Sequence, residues 1–382
     1  MRHAKATSGL AAVVVLVAAS AAAFGAELRY SVVELGRVDG VPVYGRALNG
    51  LGEVGGWVAL PQADGTTASR PIISRGGQIQ QLPLVPNAVN GFVGGLNDRG
   101  QAAMGYDFAG GVSRPYLYNG TGTPQPIALP AGYTSGYATS INNLGHVAGT
   151  LIPAAGGPAP GPFVYADGVM SVLPLPAGAV QAIATDFNDR GDVLGASYTT
   201  DPGTEPHVTV WSGGTVTELA PPAGWSRVRP REINNLGHVL GWAELMDAEG
   251  RTISRRPVIY RGGVPTVLVN GFGTADSPNG FNDVDAIVGG ALGNIYSFGY
   301  VYEEGVGMTD LSGLAPLPDG FSIVQARAIN NVGQILADAQ NRAGENRSYL
   351  LTPVPEPAAA AVALGLGAAA LLARRRQRGR LK

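Results

Sequence analysis

Ile141-Asn142-Asn143-Leu144-Gly145-His146-Val147-Ala148-Gly149 reads as a tight turn feeding a strand, and the chain uses it again and again. The core is an apolar residue, Asn, two residues and Gly. It stands at Leu48 to Gly52, Leu96 to Gly100, Ile141 to Gly145, Phe187 to Gly191, Ile233 to Gly237 and Ile329 to Gly333. Another copy, Phe281-Asn282-Asp283-Val284-Asp285, has Asp where Gly is expected. The seven asparagines are Asn49, Asn97, Asn142, Asn188, Asn234, Asn282 and Asn330, spaced by 48, 45, 46, 46, 48 and 48 residues. Asn favours such a turn because its side chain can bond the backbone two residues on. Gly three places later can take the left-handed conformation that closes a type I turn with a bulge. Asp285 tolerates that conformation better than most residues. In the second copy the final glycine, Gly105, arrives one residue late, which reads as an extra residue.

Each period carries a second hairpin. Pro162-Phe163-Val164-Tyr165 meets Met170-Ser171-Val172-Leu173 across Ala166-Asp167-Gly168, and Val208 to Trp211 meets Val216 to Leu219 across Ser212-Gly213-Gly214. Asp-Gly and Gly-Gly between β-rich runs are strong hairpin signals. Four short strands per period of about 46 residues is the pattern of a propeller blade. Tyr30 to Gly36 looks like a fourth strand with no blade before it, and the last repeat stops after its third strand, Ser348 to Leu351. The two fragments complete each other and would close the ring. The expected fold is therefore all-β: a seven-bladed β-propeller of four-stranded blades, closed by the N-terminal strand.

The ends are of a different kind. Arg2, His3 and Lys5 precede an apolar run from Leu10 to Ala23 that ends in small residues, the order of a secretory signal peptide. At the other end Val354, Pro355, Glu356 and Pro357 precede sixteen apolar residues, 358–373, and then Arg374, Arg375, Arg376 and Arg378. Sixteen residues make a helix of roughly 24 Å, slightly short of a bilayer's hydrocarbon core. A transmembrane helix is expected there, with its basic end 374–382 on the cytoplasmic side. The expected organisation is a signal peptide over 1–26, a propeller over 27–353 and a tail over 354–382.

Composition narrows the function. The chain has no cysteine, so disulfides and thiolate chemistry are excluded. All 28 acids lie between Glu27 and Glu356, and eight of the 26 basic residues lie outside that span, so the body is acidic by 10 charges. That balance argues against a nucleic-acid partner.

The Ile-Asn-Asn-x-Gly-x-Val-x-Gly units, with strands such as Arg114 to Tyr118, resemble the HAF extracellular repeats. The resemblance covers nearly the whole body and implies location and architecture, since that family carries no settled activity. The tail resembles the PEP-CTERM sorting signal: a Pro-Glu-Pro motif, a short span and a basic end, in that order. This implies transient residence in the inner membrane, processing by an exosortase near Pro355 to Pro357, and release or attachment at the cell surface. Such proteins accompany exopolysaccharide production and biofilm.

Candidate chemistry is sparse. His146 and His238 share the place after the turn Gly that Glu53, Gln101, Asp192 and Gln334 fill elsewhere, which reads as turn filler. Arg190-Gly191-Asp192 occupies the same turn. Asp283 and Asp285 could offer oxygens to calcium but lack a full ligand spacing. Trp57, Trp225 and Trp242 are the candidates for stacking on sugars. Trp211 reads as packing between blades. No residue pair stands out as catalytic, and no cofactor is implied. The expectation is an exported, non-enzymatic binding or matrix protein of the cell surface that associates with exopolysaccharide. The alternatives are a carbohydrate-active enzyme with acidic channel residues and a docking scaffold for other surface proteins.

Overall fold

In a computed structural model, which describes residues 30–200, 206–269, 276–292, 297–318 and 320–354, each of the seven repeat turns is the hairpin tip that joins the first two strands of a sheet. In the third copy Asn142 N–H donates to the His146 carbonyl at 3.0 Å, and Gly145 N–H donates to the Asn142 carbonyl at 3.0 Å. Gly145 sits at φ 87°, where only glycine is free of strain. Asp285 takes the same conformation at φ 60° in the sixth copy, so that tip survives its substitution.

Seven four-stranded antiparallel sheets follow in sequence order. The third blade shows the pattern: Tyr133–Ile141, Val147–Pro153, Gly161–Ala166 and Val169–Val172, innermost strand first. The seventh sheet takes its outer strand from the start of the chain. Tyr30–Glu34 pairs antiparallel with Asn346–Pro353, Tyr30 facing Pro353 and Glu34 facing Tyr349. The ring therefore closes as expected, which covers a sheet edge that would otherwise be open to another chain. A small hairpin, Arg37–Val38 with Val41–Pro42, links that closing strand to the first blade and had no signal in the repeat pattern.

Apolar side chains fill the spaces between neighbouring sheets. Ile73 of the first blade packs with Val93, Met104, Tyr106 and Tyr118 of the second. Ala148 of the third packs with Ala182, Phe187, Val193 and Trp211 of the fourth. Trp211 is 4% exposed, and its indole N–H donates to the Pro174 carbonyl at 2.7 Å. It is the inter-blade residue the sequence suggested.

Every innermost strand has a β-bulge at the same place, three residues before the turn Asn. The register shifts fall at Arg46, Gly94, Thr139, Thr185, Arg231, Asn279 and Arg327. The bulge explains the last glycine of the motif. A Cβ on Gly149 would lie 2.1 Å from the Tyr137 carbonyl oxygen, and one on Gly195 would lie 2.0 Å from that of Ile183. The second repeat has no extra residue: Leu96 pairs with Ala102 as Ile141 pairs with Val147, and Met104 occupies the glycine's place opposite Val93. Gly105 is needed for a different reason, because a Cβ there would meet the Phe92 ring at 2.4 Å.

Candidate functional site: the central channel

The innermost strands surround a channel whose two ends differ. The narrow end is built by the turn asparagines, which do more than shape their own hairpins. Each Oδ1 accepts two local N–H groups; for Asn188 these are Arg190 N–H at 3.1 Å and Asp192 N–H at 2.9 Å. Each Nδ2 then donates to the backbone carbonyl of the equivalent Asn one blade on. Asn49 reaches Asn97, Asn97 reaches Asn142, Asn142 reaches Asn188 and Asn188 reaches Asn234. Asn234 reaches Asn282, Asn282 reaches Asn330, and Asn330 returns to Asn49 at 3.0 Å. The seven asparagines, all buried, form a closed girdle of blade-to-blade hydrogen bonds.

A second ring lies beside it, on the residue after each Asn: Gly50, Asp98, Asn143, Asp189, Asn235, Asp283 and Asn331. Asp and Asn alternate. Asn143 N–H donates to Asp189 Oδ1 at 2.6 Å, and its side-chain amide donates to Asp98 and Asp189 at 3.2 and 3.1 Å. Strict alternation cannot close in a ring of seven, and Gly50 stands where it fails, its N–H held by Asp98 at 2.6 Å. Both rings line a space of about 200 Å³.

These contacts consume the groups that sequence offered to metals. Asp285 accepts from Asn234 Nδ2 at 3.0 Å and Arg261 Nε at 2.7 Å, and its Oδ1 lies 2.9 Å from His238 Nδ1. It replaces the acceptor that Asp192 gives Asn188 in the fourth turn, where the fifth turn has His238. Asp283 is held by Asn235 and Asn331. Among the described residues no three His, Cys, Asp or Glu side chains cluster as a metal site. Asp192 of the Arg-Gly-Asp sequence is 5% exposed and bound to Ser212, so that tripeptide is part of the turn.

The wide end opens into a cavity of about 560 Å³. The bulges govern its lining. A bulge re-aims the side chain it carries, and here it places Arg46, Arg231 and Arg327 on the channel wall with Thr139, Thr185 and Asn279. Burial, then the like charges of Arg231 and Arg327, make Arg46 easier to deprotonate than a free arginine. Three cations thus share one cavity. Arg231 lies 5.3 Å from the Trp242 ring and donates to Asn279 at 3.1 Å, yet its Nε is buried without a hydrogen-bond partner. Arg327 pairs with Asp338 at 2.6 Å.

Two carboxyl groups lie among them, each one residue after a bulge: Asp186 follows Thr185 and Glu232 follows Arg231. Asp186 accepts from Ile233 N–H at 3.0 Å and Ser140 Oγ at 3.2 Å, and Glu232 accepts from Phe281 N–H at 2.7 Å. Burial raises the Asp186 carboxyl against those hydrogen bonds. Burial, then the charge of Asp186, pushes Glu232 well above the usual glutamate value, while Arg231 pulls the other way. Fully buried Glu244 carries three more arginines, Arg227, Arg229 and Arg255, at 2.6, 3.1 and 2.9 Å. Burial works to raise its carboxyl, but the guanidinium groups of Arg227 and Arg229 outweigh it. An acidic body therefore has a locally basic channel mouth.

Trp57 lines the cavity and stacks on Tyr44 with centroids 5.8 Å apart. Trp242 lies between Arg231 and Arg255. Trp225 is half-buried against the cluster of Val228, Val239 and Val258. Trp57 and Trp242 each stand fourth in a second strand, Val54–Pro61 and Val239–Met246, and Trp225 lies in the turn before Arg227–Ile233; only Trp57 reaches the cavity wall. Val354 ends the described chain; Pro355, Glu356, Pro357 and the basic end Arg374, Arg375, Arg376 and Arg378 lie outside the described residues, as does the expected membrane span. Among the described residues no helix is long and apolar enough to cross a membrane. Sequence reasoning missed Arg46, Arg231, Arg327, Asp186 and Glu232. Their signal was their offset, three or two residues before the repeat Asn.

No family model matches the chain, and no characterised protein matches it in sequence. Solved structures do. The β-propeller domain of the Trilobed protease from Pyrococcus furiosus, described as having an open velcro topology, is 9% identical with a TM-score of 0.55. That match covers 81% of this chain and 93% of that one. A puromycin-hydrolysing peptidase of Mycobacterium tuberculosis is 13% identical with a TM-score of 0.55, over 82% of this chain and 52% of that one. The likeness is one of fold.

Proposed function

We propose that this is an exported surface protein that binds an anionic saccharide at the wide mouth of its channel, without turning it over. The observation that carries the reading is the convergence of Arg46, Arg231 and Arg327 on equivalent bulges in one open cavity, beside the indole of Trp57. Guanidinium groups suit carboxylate and sulfate by paired hydrogen bonds, and an indole suits the apolar face of a sugar ring. Export rests on the basic, apolar, small-residue order of 1–26. Sorting by an exosortase and association with exopolysaccharide rest on 354–382. In this reading the propeller spans 27–353, and 358–373 is a helix that holds the chain in the inner membrane until processing.

The test is calorimetry of the purified protein with oligosaccharides of a uronic acid and with neutral oligosaccharides of equal length. Saturable binding to the acidic series, weak binding to the neutral one and no product support the proposal. Equal affinity for both series refutes the charge argument. A second reading, a carbohydrate-active enzyme, is favoured by Asp186 and Glu232, two carboxyls with raised pKa values in one cavity. New reducing ends or unsaturated products, abolished by Glu232→Gln, would establish it instead. A docking scaffold would show neither, and would be recovered with surface proteins.

A further inference from the structure

The narrow face carries an apolar crown. In each girdle turn one residue, two after the Asn, points away from the blade. Five of the seven are Leu51, Leu144, Leu236, Val284 and Val332, between 54% and 76% exposed. The other two are the exposed Arg99 and Arg190. Farther out on the same face, the hairpins between third and fourth strands add Val169, Val264 and Val306, each at least 64% exposed. Exposed apolar side chains also occur singly at the other end, but on the narrow face they recur from turn to turn around the ring, and an apolar patch of that kind marks an interaction site.

The path of the chain says what that is. Tyr30 and Pro353 face each other in the closing pair of strands. The Pro353 ring lies 3.2 Å from the position a Cβ would take on Gly333, inside a girdle turn. Both ends of the described chain therefore leave from the narrow face. Both lead to apolar stretches, 10–23 before the propeller and 358–373 after it. Three residues separate Val354 from the second stretch, four steps along the chain with a reach of at most about 14 Å.

We propose that the narrow face docks on a lipid bilayer surface, with the apolar crown in the interface and Arg99 among the headgroup phosphates. This rests on the reading of 358–373 as a membrane span. A tether that short holds the crown against the bilayer, and side chains of this kind bind where apolar surface enters the boundary beside basic groups. While the tail is unprocessed, the channel's wide mouth then opens away from the membrane. The crown orients the binding site.

The chain has no cysteine, so single cysteines can report position. Leu144→Cys on the crown and Ile253→Cys, 55% exposed at the opposite end of its blade, are each labelled with an environment-sensitive fluorophore in the full chain. The labelled proteins are reconstituted with vesicles of phosphatidylcholine and phosphatidylglycerol and floated on a density gradient. The expected result is flotation of both, severalfold stronger quenching by spin-labelled lipid at Leu144→Cys, and severalfold stronger quenching by iodide at Ile253→Cys. Flotation with equal iodide access at both sites leaves the span standing and overturns the crown. A Leu144→Cys label shielded from iodide but untouched by spin-labelled lipid means that a second protein copy covers the crown, which also overturns it. Failure to float refutes the span and the docking together.

Discussion

Replacing Asn188 with Ala should be far more costly than replacing an asparagine in a similar turn elsewhere. Asn188 makes four hydrogen bonds: two accepted from Arg190 and Asp192 N–H, one donated to Asp192 Oδ2 and one donated across the blade boundary to Asn234 O at 2.9 Å. At about 1 kcal/mol net for each bond, Asn188→Ala loses about 4 kcal/mol, more if the buried partners stay unsatisfied. Asn341 is the internal control. It accepts from Ala343 and Glu345 N–H at 3.0 Å each and donates to Glu345 at 3.1 Å, but it reaches no neighbouring blade and its turn is exposed to water. Water can replace those bonds, so Asn341→Ala should cost only about 1 kcal/mol. At about 2 °C per kcal/mol for a domain of this size, the melting temperature should fall by about 8 °C for Asn188→Ala and about 2 °C for Asn341→Ala. Differential scanning calorimetry of the two variants makes the comparison. Equal shifts would show that the girdle adds nothing beyond local turn geometry.

Other consequences follow from the same contacts. Gly149→Ala drives a Cβ to 2.1 Å from the Tyr137 carbonyl, so thermal denaturation should show a loss of about 1–3 kcal/mol or more. Deleting Tyr30–Glu34 opens the edge of Asn346–Pro353, and light scattering should report association that the intact chain does not show. Glu232 binds a proton more readily folded than unfolded, so its contribution to stability is full below the usual glutamate value and is lost as pH rises toward its raised folded pKa. Glu232→Gln should flatten urea stability profiles over that window. Pro355→Ala or Glu356→Ala should leave the tail unprocessed; an unchanged mature mass would refute the sorting motif.

The blade pattern was legible because each turn is local. Asn at the first position and Gly at the fourth are read from a single stretch of chain, and the spacing gives the number of blades. The closing strand was legible as two incomplete ends. The girdle was not, because Asn188 Nδ2 finds its carbonyl 46 residues away, a neighbour only once the ring exists. The basic mouth was hidden for a related reason. Composition gives an acidic body, and nothing local says that Arg46, Arg231 and Arg327 sit on bulges that turn them inward. Asp285 shows the same limit: by sequence it is a flaw in a turn, and in the ring it is the acceptor that Asn234 lacks.

The most direct test of the account is a titration of the full chain with a uronic-acid oligosaccharide, comparing the native sequence with an Arg46→Gln, Arg231→Gln double variant whose melting temperature has been checked. Loss of at least about tenfold in affinity with the fold intact, a free-energy change of about 1.4 kcal/mol, is the predicted result. Undiminished affinity in a folded double variant would contradict the channel mouth as the binding site.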